Sequence, residues 1–198
     1  MKKIQKCAAP NKFIQFIKHK SPKKWEDLDP DVRIDLRKHI LEEQNGFCAY
    51  TELALKSGNC HIDHFLKRDL FPKETFKYAN LLVSCNNEEY GAKYKDKKVK
   101  DKKDYNFLIN PTIENPSDYL TYSLTGEIQS IDNNEKGKHT IEYFNLNERS
   151  LIERRKSITK IISSISLSIK NFTEEEVIEI CGKEFETMTK QLYKDLSN

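Results

Sequence analysis

The segment His61-Ile62-Asp63-His64-Phe65 constrains this chain more than any other. It sets two imidazoles and a carboxylate within four residues and closes on a bulky apolar side chain, as a short strand would. Asp63 and His64 are the informative pair. A carboxylate oxygen is a hard ligand suited to Mg2+ or Mn2+. A neutral imidazole can take a proton from water. A metal ligand beside a base is what one-metal phosphodiester hydrolysis requires. The plainer reading is a pair of surface histidines on a strand, so the surroundings have to decide.

The 198 residues suggest one domain, or a core with one appendage. With 37% hydrophobic and 33% charged residues, the composition is that of a soluble globular protein. The net charge of +3 does not announce nucleic acid, but its distribution is uneven. Residues 93–103 read KYKDKKVKDKK, either a solvated loop or an electrostatic track for phosphates. In the latter case Lys93, Lys95, Lys97, Lys98 and Lys100 are the nucleic-acid contacts. There is no long apolar run and no secretory signal at the N-terminus, so no membrane association is expected. Five scattered cysteines make no disulfide framework, which fits a reducing cytoplasm.

Phe13, Ile14, Phe16 and Ile17 form a short amphipathic patch, and Trp25-Glu26-Asp27-Leu28 opens toward a helix. Val32, Leu36, Ile40 and Leu41 recur at helical spacing, and Asn45-Gly46 ends that helix. Phe47 to Thr51 is a short strand or knuckle, Lys56 to Asn59 a turn, and Leu66 to Tyr78 a loop. Asn80 to Cys85 is a buried strand or the lead into a helix. Residues 119–131 alternate around Thr125-Gly126 as a hairpin. From about residue 140 the chain is helical, with Leu151, Ile158, Ile162, Ile165 and Ile169 on one face. Thr173 and Glu176 form a capping box before a helix that carries Ile180, Phe185 and Leu192, with Gly182 its weak point.

Three pieces stand in a telling order: GFCAYTE (46–52), HIDHF (61–65) and NLLVSCNN (80–87), with Gly91 and Lys93 beyond. This order resembles the HNH, or ββα-metal, nucleases. The opening MKKIQKCAAP, the Trp25 segment and the later YFNLNERSL extend the likeness to the PtuB branch, the HNH subunit of Septu and retron-associated anti-phage systems. The resemblance covers about residues 1–160. It implies an α+β fold: a small ββα-metal core in a mostly helical domain with a β-hairpin and C-terminal helices. Residues 1–45 would be an N-terminal helical segment, 46–110 the nuclease core, and 111–198 the hairpin and helical region, together one compact domain.

The resemblance also implies roles. His64 matches the general base and Asp63 the metal-binding carboxylate before it. Asn80 matches the middle Asn, which holds the loop and orients the base. His61 is a candidate outer group of the same catalytic set. The base needs its other ring nitrogen held by a carbonyl or similar acceptor. A free imidazole titrates near ~6.5, so hydrolysis should fall below about pH 6–7. The third metal ligand departs from the family pattern. Alignment through Lys93 places Tyr90 there, a poor ligand, and Glu89 is preferred over Glu88 and Asn87.

Related sequences carry two Cys pairs that hold zinc. Here Cys48 and Cys85 lack mates, since Thr51 and Tyr90 stand in their places. Four-thiolate zinc needs four ligands, so structural zinc is not expected. The knuckle should survive as an apolar contact of Cys48, Cys85 and Tyr90. Only a rearranged set of Cys48, Cys60, Cys85 and His61 could complete a tetrahedron.

The reading is thus a metal-dependent HNH endonuclease acting on DNA or RNA with Mg2+ or Mn2+, as effector of a complex with a PtuA-type ATPase. A retron reverse transcriptase and its DNA–RNA product are further candidate partners. The alternative is a catalytically impaired subunit of the same fold that binds nucleic acid or serves as a scaffold. A zinc-ribbon transcription module is disfavoured by the missing Cys pairs.

Overall fold

In the computed structural model, which describes residues 1–56 and 58–197, one pair of strands divides two apolar clusters. β1 (Cys60–His64) runs antiparallel to β2 (Leu81–Cys85), pairing His61 with Ser84, Asp63 with Leu82 and His64 with Leu81. On one side Cys60, Leu81 and Val83 pack with Trp25, with Phe13 of α1 (Asn11–Lys20), and with Val32, Leu36 and Ile40 of α2 (Pro30–Glu43). On the other side Phe65, Leu82 and Cys85 join a larger cluster that extends to Leu192. All of β2 is buried. A strand covered on both faces reads as a continuous apolar run, which is why the sequence leaves this segment between strand and helix.

α2 begins with Pro30 in its first turn, where a missing N–H is harmless. It stops as expected at Asn45 and Gly46, both at positive φ, with Gly46 N–H donating to the Leu41 carbonyl at 2.8 Å. After β2 a turn leads to α3 (Ala92–Lys98). This helix replaces the loop expected for the lysine run. Its pattern is short but regular: Ala92, Lys95 and then Val99 turn inward, while Asp96, Lys97 and Lys98 face solvent.

The hairpin expected over 119–131 forms as β3 (Leu120–Tyr122) and β4 (Ile128–Ser130). Its turn glycine, Gly126 (φ +84°), lies so close to the next long helix that a Cβ would sit 2.6 Å from the Ile152 carbonyl. That helix is α5 (Arg149–Ile165), preceded by α4 (Glu135–Tyr143). Arg155 of α5 is buried and donates to the Gly126 and Leu146 carbonyls. The last helical stretch differs from expectation. The Thr173–Glu176 capping box is present, but the chain breaks at Gly182 (φ +84°) into α6 (Glu174–Cys181) and α7 (Glu186–Ser197). Glycine supplies the left-handed cap that ends α6.

Glu52 fastens distant segments together. Its carboxylate, buried at φ +60°, accepts from Thr187 N–H and Oγ1 at 2.9 Å each and from the Tyr122 hydroxyl at 3.2 Å. The result is a mostly helical α+β chain with two small antiparallel sheets among the described residues. No helix among them is long and apolar enough to cross a membrane. The turn expected at Lys56–Asn59 contains Ser57, which lies outside the described residues.

Candidate functional site

Strand alternation separates the two residues that the sequence presents as a pair. Asp63 is 4% exposed and turns toward α3. Its Oδ2 accepts from the Tyr50 hydroxyl and lies 3.1 Å from the Lys95 ammonium, whose distance to Oδ1 is 3.4 Å. Lys95 also donates to the His64 and Phe65 carbonyls at 3.0 and 2.9 Å and lies 3.1 Å from Asp96 Oδ1. Burial works against the charge on Asp63, but the Lys95 charge and the Tyr50 hydrogen bond outweigh it and hold the carboxyl below its ordinary range. Burial likewise opposes the charge on Lys95, and Asp63 and Asp96 reverse the effect, so its pKa rises. The Tyr50 phenol is driven well above the usual range by burial and by Asp63.

His64 turns to the other face, 6% exposed, with its ring edge-on to Trp25 at 4.5 Å between centroids. Its Nε2 lies 3.0 Å from the Thr75 carbonyl. A carbonyl only accepts, so Nε2 carries the hydrogen and Nδ1 is the basic nitrogen of the neutral ring. This is the acceptor that a tautomer-fixed base needs. Burial, only partly opposed by Asp63, lowers the pKa of His64 to about 4. This lies below the ~6.5 of a free imidazole, because protonation would place a charge in an apolar pocket.

Asn80 braces the long connection between the strands. Its Oδ1 accepts from Leu66 N–H at 2.8 Å, and its Nδ2 donates to the Leu66 and Glu74 carbonyls at 3.1 and 3.2 Å. The same connection presents the Thr75 carbonyl to His64. Asn80 thus braces the connection whose Thr75 carbonyl meets His64.

The remaining candidates are scattered. His61 shares the face of Asp63 and is half-buried, with Nδ1 unpartnered. Burial lowers its pKa, while the charge of Asp63 pulls it the other way. Glu89 is exposed on the turn before α3, its N–H bonded to Asn87 Oδ1 and its carbonyl to Asn145 Nδ2. Lys95 departs from the surface expectation. It is fully buried, so it cannot meet a phosphate in this arrangement. Lys97, Lys98 and Lys100 are exposed, and Lys93 is partly so. Lys93 and Lys97 both pair with Glu88, and Lys98 with Glu142.

Sequence reasoning missed Tyr50, Lys95 and Thr75 as partners of the central residues. For Lys95 a signal existed in its helical spacing between Ala92 and Val99. For Thr75 there was none, because a backbone carbonyl leaves no trace in residue type.

A divalent cation of the Mg2+ kind needs an octahedron of oxygens. Asp63 already has an ammonium and a phenol on its oxygens. No group of three or more His, Cys, Asp or Glu able to hold a metal occurs among the described residues. In this arrangement the residues do not fit a resident Mg2+ or Mn2+, and Asp63 and Glu89 are not joined as ligands. The unpartnered His61 Nδ1 is the one orphaned ring nitrogen on that face among the described residues.

The knuckle residues do meet. Cys48 Sγ lies 3.8 Å from Cys85 Sγ and 3.5 Å from Ser84 Oγ, all buried. Burial raises the cost of charge on Cys48. The Cys85 thiol, the Thr51 and Ser84 hydroxyls and the Cys85 N–H more than offset it, drawing the Cys48 pKa down and pushing that of Cys85 up.

No family model matches the chain. It is similar to the Septu protein PtuB of Bacillus thuringiensis, 30% identical over 135 residues that cover 64% of this chain and 47% of the relative. It is also similar to the Septu protein PtuB of Bacillus mycoides (strain KBAB4), 24% identical over 190 residues covering 81% of this chain and 63% of the relative. The chain thus spans less than two thirds of the length of these curated relatives. Over most of its own length, its similarity is to PtuB proteins of Septu systems.

Proposed function

We propose that this chain is a PtuB-type subunit of a Septu-like anti-phage defence system, and that it hydrolyses phosphodiester bonds in DNA or RNA through an HNH-type core made of β1, β2 and α3. The observation that carries this reading is His64: a neutral imidazole whose tautomer is fixed by the Thr75 carbonyl, in a connection braced by Asn80, with Asp63 on the opposite face of the same strand. Its Nδ1 would take the proton of the attacking water. Mg2+ or Mn2+ belongs to the proposal as a cation supplied at activation, because Asp63 would first have to release Lys95. A PtuA-type ATPase is the proposed partner, with a retron reverse transcriptase and its DNA–RNA product as further candidates. Co-expression with the ATPase, size exclusion, and incubation of the complex with plasmid and RNA, with and without Mg2+, Mn2+ or chelator, test the reading. Co-elution and cation-dependent cleavage are expected.

The Lys95–Asp63 pair favours a second reading: a subunit of the same fold that binds nucleic acid without cutting it. A complex that retains nucleic acid but leaves it intact under every cation condition would select that reading.

A further inference from the structure

We propose that Cys48 and Cys85 are a peroxide-sensitive thiol pair that closes to a reversible disulfide. Three observations carry this. The sulfurs are in contact at 3.8 Å across two segments, the 46–53 knuckle and the end of β2. Cys48 is surrounded by groups that stabilise a thiolate: Cys85 N–H donates to its sulfur at 3.5 Å, and the Ser84 hydroxyl lies at 3.5 Å. A cavity of about 190 Å³ is lined by Cys48, together with Phe47, Ala49, Lys2, Lys3 and Lys183. A water occupies ~30 Å³ of liquid, so a hydroperoxide has room there. Glu43, Glu52 and Glu186 line the cavity beside the three lysines, so its charges balance; charge on the Cys48 sulfur is supported by the Cys85 N–H and the Ser84 hydroxyl.

The chemistry balances with hydrogen peroxide as the oxidant. The Cys48 thiolate attacks one peroxide oxygen, the O–O bond breaks, and the leaving hydroxide takes a proton to become water. Cys48 is then a sulfenic acid. The Cys85 thiol attacks that sulfur, the S–O bond breaks, and a second water leaves. Two thiols and one peroxide give one disulfide and two waters. A dithiol reductant reverses the change. The Cys85 sulfur lies 3.4 Å from where a Gly91 Cβ would be, so the pair adjoins the residue that opens α3, the helix carrying Lys95.

The test is mass spectrometry on the full chain. Purified protein is treated with a modest excess of hydrogen peroxide, alkylated under denaturing conditions and digested. The expected result is the loss of two alkylatable thiols, a Cys48–Cys85 linked peptide, and recovery of both thiols with dithiothreitol. Cys85→Ser should stop at a Cys48 sulfenate that a dimedone probe captures, whereas Cys48→Ser should leave Cys85 unreacted. The wild-type result stands even if a variant folds poorly. A bridge between Cys85 and its strand neighbour Cys60, oxidation confined to exposed Cys7, no loss of thiols, or stoichiometric zinc holding the sulfurs would each overturn the proposal.

Discussion

The Lys95 ammonium lies 3.1 Å from Asp63 Oδ2, and neither side chain is more than 3% exposed. Two charges in such a place are stable only because other groups share the load. Tyr50 donates to the carboxylate, and two strand-end carbonyls accept from the ammonium. Removing one partner strands the other charge. Lys95→Met should therefore lower unfolding free energy by about 3–5 kcal/mol, the usual scale for breaking a buried pair. Asp63→Leu should do the same, and the double variant should recover much of the loss. Urea denaturation of the four proteins closes the cycle. Additive single losses would mean that the two residues do not interact.

Stability should also carry the signature of His64. Its folded pKa is lowered to about 4, so between ~6.5 and that value the unfolded chain binds a proton that the folded chain refuses. Stability present above the unfolded pKa is then lost as pH falls. From pH 7 to 5 the loss from this group is about 2 kcal/mol. A His64→Asn variant should show a correspondingly shallower decline in urea midpoint over the same range. Parallel declines would place His64 in a more solvated setting than the one described.

The surface lysines should govern substrate binding, and Lys95 should be left out of the test. Changing Lys97, Lys98 and Lys100 to Gln should weaken nucleic-acid binding and reduce the salt slope by roughly one for each phosphate-binding lysine removed. The measurement is binding to a labelled duplex and to RNA across a salt series. An unchanged slope would make this face an ordinary solvated surface.

Much of this arrangement was legible in the residues. The Asn45-Gly46 stop, the 119–131 hairpin and the Thr173–Glu176 box are local signals, and local chemistry decides them. What periodicity could not resolve was long-range. The Asp63-His64 pair looks like one site in sequence, yet alternation along β1 sends the two side chains to opposite faces. Lys95 looks like one member of a basic run, yet helical spacing turns it inward onto a carboxylate 32 positions earlier. The contact of Cys48 with Cys85, by contrast, is the expected remnant of the knuckle, and the two sulfurs lie 3.8 Å apart. The expected chain of helices after residue 140 is right in kind, while Gly182 acts as a cap rather than a weak interior position.

If His64 is the base, activity must follow its protonation. The base works when neutral, and its pKa is lowered to about 4. Cleavage should be flat from about pH 8 to 5, roughly the window in which an unperturbed histidine titrates, and should fall only below it. Circular dichroism at each pH separates loss of fold from loss of base. A limb centred near ~6.5 would indicate an ordinary solvated imidazole instead.

The most direct test compares nucleic-acid cleavage by the wild-type complex with that by a complex carrying His64→Ala, both with Mg2+ or Mn2+ and with fold verified. The proposal predicts a rate at least ~10²-fold lower for the variant, the lower end of what a general base supplies. Equal rates of cleavage would contradict it.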